Sequence, residues 1–131
     1  MFSGIILAIL LGVTIAYPNY QQNIPNGRQV PNPCAGVTGL WLGVGHLNPH
    51  GAGPRNLFGQ DFASSGHSWT HDLCMADSDG DGRSNGVELG DPSCTWKPGQ
   101  APSLKATGHP GICEPMNDLK CQSVNANIAC S

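Results

Sequence analysis

The sequence predicts a small disulfide-rich domain of short α-helices with much irregular, turn-rich structure and a single EF-hand-like calcium loop. Three observations carry that prediction. Six cysteines follow an N-terminal export signal in a chain of 131 residues, and in a small exported domain they read as three disulfides rather than a thiolate metal site. Eighteen glycines and eleven prolines punctuate the chain, too many for long helices or strands. Residues 77–88, DSDGDGRSNGVE, satisfy the loop template D-x-[DN]-x-[DN]-G-x5-E at every specified position.

The first element is a signal peptide over residues 1–16. Ile5 to Ile15 is an apolar run too short to span a bilayer, and Thr14 and Ala16 are small residues placed for cleavage before Tyr17. A membrane anchor fits less well, because no longer apolar run or flanking basic cluster supports it. Residues 17–131 then form one domain, ending in a cysteine-containing tail over 113–131. Leu, Ile, Val and Phe are sparse in it, below roughly a fifth of its residues, so disulfides must offset a thin core.

Residues 17–33, rich in Pro, Asn and Gln, predict an extended arm with tight turns, which Cys34 would pin to the body. Leu40 to His46 is short and broken by Gly43 and Gly45, so it is either a short buried strand or an apolar turn. Asn56 is a candidate N-cap for a helix over 57 to about 64, with Leu57, Phe58 and Phe62 on one face. Gly66 would stop that helix. Ser68 or Thr70 would cap a second one carrying Trp69, Leu73 and Cys74 into the calcium loop. Val87 to Leu89 leaves room for barely one exit turn before Gly90, Asp91 and Pro92. The remainder is turn-rich.

The loop places Asp77, Asp79 and Asp81 at positions one, three and five, Gly82 at the sharp turn and Glu88 at twelve. Alternate residues of a tightly wound loop point inward, which suits a hard cation taking six to eight oxygens. Arg83, at position seven, would serve through its backbone carbonyl, and Asn85, at nine, directly or through water. So many carboxylates in a compact loop repel one another unless a cation sits among them; the bland alternative is a solvated acidic turn. Position eight is Ser84, where paired EF-hands carry a branched apolar residue, and no second loop occurs. The expectation is one unpaired calcium site with a structural role.

Cys74 and Cys94 flank the loop, and a bridge between them would clamp its neck. That leaves Cys34–Cys113 and Cys121–Cys130 as one of the remaining connectivities, among which sequence does not choose. His46/His50 and His67/His71 have i,i+4 spacing, but no zinc-site pattern accompanies them, so capping and surface roles are expected. Asp61 and Asp72 read as helix-surface or capping groups. Trp41, Trp69 and Trp96 are expected in the core, with one exposed as a binding anchor as the alternative. No nucleophile elbow, phosphate loop or dinucleotide fingerprint occurs, which argues against an enzyme. A net charge of −3 gives no nucleic-acid footprint and no attraction to anionic membranes.

Several blocks together carry a family resemblance: YPNY at 17–20, IPNG at 24–27, VPNPC at 30–34, GVGHLN at 43–48 and GPRNLFG at 53–59. They continue through Trp69, Thr70, Leu73 and Cys74 to DSDGDGRSNGVELGDPSCTW at 77–96. Over about residues 17–113 the chain resembles the temptin-like family of secreted, water-borne pheromone proteins of marine gastropods. The resemblance implies a secreted, non-enzymatic protein that acts in mate attraction through complexes with other secreted pheromone proteins or a receptor. Cys34, Cys74, Cys94, Cys113 and the 77–88 loop match the family pattern; Cys121 and Cys130 fall in a tail outside it, where a local bridge is expected. The alternative is a calcium-binding extracellular-matrix or adhesion module without a pheromone role.

Overall fold

The computed structural model describes residues 20–130. The expected signal peptide, residues 1–16, and the first residues of the mature chain lie outside them. After a single 3-10 turn at Tyr20–Asn23, four short helices follow in order: α1 Leu57–Ser64, α2 His71–Met75, α3 Asn85–Leu89 and α4 Leu119–Gln122. Among the described residues extended pairing is limited to two isolated antiparallel bridges, Pro31 with Leu40 and His46 with Arg55. The small, mostly non-strand, helix-poor architecture is therefore as the composition predicts.

Helix α1 forms where its cap and apolar face agree. Asn56 is extended and accepts the Gly59 N–H at 2.8 Å, satisfying one of the free donors of the first turn. Phe58 and Phe62, four residues apart, are buried on one face. A Cβ on Gly59 would strike the Gly45 backbone, so glycine here lets α1 lie directly on the segment around residue 45. That segment settles the choice left open for 40–46: it is an apolar turn, with Trp41 and Val44 buried and Trp41 Nε1 donating to the Gly43 carbonyl at 3.0 Å. Helix α2 is capped by Thr70, whose Oγ1 accepts the Leu73 N–H at 3.1 Å. Trp69 therefore precedes the helix instead of riding on it.

The core gathers Ile24, Val30, Trp41, Val44, Phe58, Phe62, Leu73, Leu89 and Ile112, with Trp69, Met116 and Ile128 packed against it. Of the three tryptophans only Trp41 is fully enclosed; Trp69 and Trp96 are half-buried. With no sheet to pair buried backbone groups, asparagine side chains do much of that work. Asn56 Nδ2 donates to the carbonyls of Val44 and His46 at 2.8 and 2.9 Å. Asn26 Nδ2 reaches those of Leu89 and Leu104, both at 2.9 Å. Asn125 holds both the N–H and the carbonyl of Cys113, at 3.0 and 2.8 Å.

Three disulfides close the fold, and two of them correct the expected connectivity. Cys74 is joined to Cys94, as expected, but Cys34 pairs with Cys130 and Cys113 with Cys121. The tail does not stay local. Ala129 donates its N–H to the Leu47 carbonyl at 2.9 Å and Ile128 packs on the core, which carries Cys130 back to the N-terminal arm. Cys113, held by Asn125, is then left opposite Cys121 in α4. No described helix is long and apolar enough to cross a membrane.

Candidate metal centre

Helices α2 and α3 bracket the 77–88 loop and pack on each other. Its neck is fixed by the Asn85 N–H to the Ala76 carbonyl at 2.8 Å and by the Cys74–Cys94 bridge. Inside the loop the carboxylates organise the backbone. Asp77 accepts the N–H groups of Gly80 and Gly82 at 3.0 and 2.8 Å. Asp79 accepts that of Asp81 at 3.3 Å, and Asp81 that of Arg83 at 3.1 Å. These turns aim the acids inward. One oxygen from each of Asp77, Asp79, Asp81 and Glu88 lies within 4.8 Å of the others, and this is the one group of three or more potential ligand side chains among the described residues.

The electrostatics of that group are unfavourable as it stands. Asp79 and Glu88 are each only 1 % exposed, and Asp79 Oδ2 and both Glu88 carboxylate oxygens have no hydrogen-bond partner among the described residues. An unpaired buried carboxylate is among the most costly groups a protein can hold. Burial, followed by the charge of Asp81, pushes Asp79 up to about 9. Burial, followed by the charges of Asp79 and Asp81, pushes Glu88 up to about 10. A hard divalent cation would occupy the orphaned oxygens and reverse both effects, so the donor set fits such an ion.

The other loop positions behave differently. Asn85 does not face the acids: its Nδ2 donates to the Leu73 carbonyl and to Ser78 Oγ at 2.8 and 2.9 Å. It braces the loop against α2. The Arg83 guanidinium is engaged by Thr107 Oγ1 at 2.6 Å. Ser84 is the N-cap of α3, its Oγ accepting the Val87 N–H at 3.2 Å, which gives position eight a local reason to be polar. Gly90, at φ 83°, ends α3 in the left-handed conformation that glycine favours. Asp91, although close in sequence, serves another site. It accepts Trp69 Nε1 at 2.8 Å and the N–H groups of Thr95 and Trp96 at 3.0 and 3.2 Å.

Sequence reasoning overlooked three residues near the centre. Glu114 donates its N–H to Asp81 Oδ2 at 3.3 Å, and Thr107 and Gly108 donate theirs to the Glu88 carbonyl at 2.8 and 3.3 Å. Burial raises the Glu114 carboxyl above its usual range. Nothing local marks these residues, since they come from a turn-rich segment beyond the loop. His109 is also enclosed there. Its Nδ1 accepts the Gly111 N–H at 3.0 Å, its ring stands edge-on to Trp41, and burial pushes it down to about 3, so it is a neutral core group.

The histidine pairs are redistributed. His46, His50 and His67 line one cleft of about 590 Å³ with Arg55 and Tyr20, over a floor that includes Phe58 and Phe62. His67 stacks on Tyr20 at 4.2 Å between ring centroids, whereas His71 is exposed, 4.0 Å from Asp72. Among the described residues the three do not converge with any carboxylate or cysteine into a metal-holding group.

Comparison with known proteins agrees with the blocks read from the sequence. The family described as Temptin C-terminal matches residues 14–112. Temptin from Aplysia californica is 53 % identical over 109 residues, covering 82 % of this chain and 86 % of that protein. No solved structure matches the chain.

Proposed function

The chain belongs to the temptin family, and from that membership we propose that it is a secreted, non-enzymatic, pheromone-type signalling protein that acts in mate attraction through complexes with other secreted proteins or a receptor, stabilised by one calcium ion. The identity of 53 % across most of both chains supports the signalling part. The buried, partnerless oxygens of Asp79 and Glu88 support the calcium part. In this reading Asp77, Asp79, Asp81 and Glu88 hold the ion, Arg83 adds at most its backbone carbonyl, and Asn85 stiffens the loop from behind. Calcium neutralises the acids and fixes the loop between α2 and α3; the ion takes no part in chemistry.

An affinity capture from the secretions of the tissue that releases the protein tests the signalling reading. The bait is the oxidised chain, with and without a calcium chelator. The expected result is retention of defined secreted proteins or a receptor ectodomain in calcium and weaker retention in chelator. Retention of matrix components alone, together with expression confined to connective tissue, would contradict the pheromone role.

A further inference from the structure

The 77–88 loop has no second EF-hand loop to lean on, yet its outer side is not bare. A later segment of the chain runs along it and meets the exit helix and the loop at successive points. Leu104 N–H and Ser103 Oγ both reach the Gly90 carbonyl, at 3.1 and 3.3 Å. Thr107 and Gly108 N–H groups share the Glu88 carbonyl. Thr107 Oγ1 takes the Arg83 guanidinium. Glu114 N–H ends the series on Asp81 Oδ2. Segment 103–114 thus contacts the loop through Asp81 and Arg83, and the exit helix through Glu88 and its cap.

At the centre of this contact stands Gly108. A Cβ there would lie 3.3 Å from Glu114 Oε1 and 3.4 Å from Glu88 Oε2, so the two carboxylates flank one point with only a glycine between them. Glu114 Oε1 is held in that position by the His109 N–H at 2.7 Å. Glu88, beside it, is the fully buried carboxylate whose two oxygens have no partner. Glu114 is outside the four-oxygen group itself, so it acts on the ion through Glu88, Asp81 or a bridging water.

We propose that Glu114 is an outer carboxylate of the divalent-cation site, supplied from outside the loop, and that through it cation occupancy clamps segment 103–114 onto the loop. This rests on the calcium reading of the same site. Without an ion, nothing draws Glu114 toward Glu88, and the segment is held to the loop only by its own hydrogen bonds. With an ion, both are attracted to it, and the segment closes. The segment also carries Cys113, so the clamp ties the Cys113–Cys121 lobe to the state of the loop. Segment 103–114 takes the supporting position that a partner loop has in a paired EF-hand.

The test uses the full mature, oxidised chain and calcium alone as the probe. Glu114→Gln keeps an oxygen to accept the His109 N–H and removes the charge; Glu114→Asp keeps the charge. Calcium affinity should fall about 10-fold or more in Glu114→Gln, the usual scale for residues behind the ligands, and stay closer to wild type in Glu114→Asp. Amide hydrogen exchange across 103–114 should slow on calcium addition in the wild type and change little in Glu114→Gln. In chelator the two proteins should exchange alike, which a merely structural role for Glu114 would not give. If the wild type binds calcium and Glu114→Gln binds it equally well, with calcium still protecting 103–114, the proposal is overturned and the calcium site stands. If the wild type binds none, the calcium reading fails and this proposal with it.

Discussion

The acidic loop and the histidine-lined cleft both gather polar groups, and they differ in what they lack. In the loop, Asp79 and Glu88 are enclosed with oxygens that no described residue satisfies. In the cleft, Arg55 and His50 face solvent, His67 is stacked on Tyr20, and His46 Nδ1 is within 3.2 Å of the Gly53 carbonyl. Water serves exposed groups at little cost, whereas buried unpaired charge requires a counter-ion or a proton. The loop therefore calls for a counter-ion or for protonated carboxylates, and the cleft does not. Residue type alone does not separate them, since three histidines suggest a metal as readily as four acids do.

The largest effect should come from the disulfides, of which one clamps the loop and another lies away from it. Cys34–Cys130 closes a separation of 96 residues on the N-terminal arm, and Cys74–Cys94 one of 20 at the neck of the loop. Replacing Cys34 and Cys130 by Ser should lower the unfolding free energy by about 4–5 kcal/mol and leave calcium affinity nearly unchanged. Replacing Cys74 and Cys94 should cost about 3 kcal/mol and weaken calcium binding as well. Denaturant melts paired with calcium titrations check both; equal calcium affinity in the two variants would break the distinction between arm and neck.

The pH dependence of stability should be opposite with and without calcium. The folded-state values of Asp79 and Glu88, about 9 and about 10, lie above their ordinary 3.8 and 4.5. Such groups contribute stability that is fully present below the ordinary values and is lost as pH rises through the folded ones. In chelator the protein should thus melt at higher temperature at pH 5 than at pH 9. With calcium bound the carboxylates are held ionised, protons compete with the ion, and stability should fall on acidification. Thermal melts at the two pH values, in calcium and in chelator, give the comparison; parallel trends would contradict it.

The smallest effect belongs to the cleft. Arg55 is exposed and has no carboxylate partner among the described residues. Arg55→Ala should change stability by no more than about 0.5 kcal/mol and leave calcium affinity unaltered. A larger loss in a denaturant melt would show that the cleft, too, has structural demands.

What the sequence disclosed follows the range of the interactions involved. Helix α1 was legible because its cap Asn56 and its face Phe58 and Phe62 lie within seven residues. The converging acids were legible because a twelve-residue template holds them. Asn85 was assigned to the acids by that template, but its amide is committed to Leu73 across the neck, a contact the template does not encode. The cysteine pairing failed where the chain path decides it: Cys130 reaches Cys34 only because the tail docks on Leu47. Glu114, Thr107 and Gly108 were invisible for the same reason. Their meaning lies in what they pack against, and no local periodicity records it.

The central claim is that the acids of the loop are held together for a cation. Isothermal titration of calcium into the folded, oxidised protein near pH 8, in two buffers of different ionisation enthalpy, tests it most directly. One calcium ion per chain should bind with release of protons from Asp79 and Glu88, and Glu88→Gln should lose binding. Absence of saturable calcium binding to the wild type, or undiminished binding in Glu88→Gln, would contradict it.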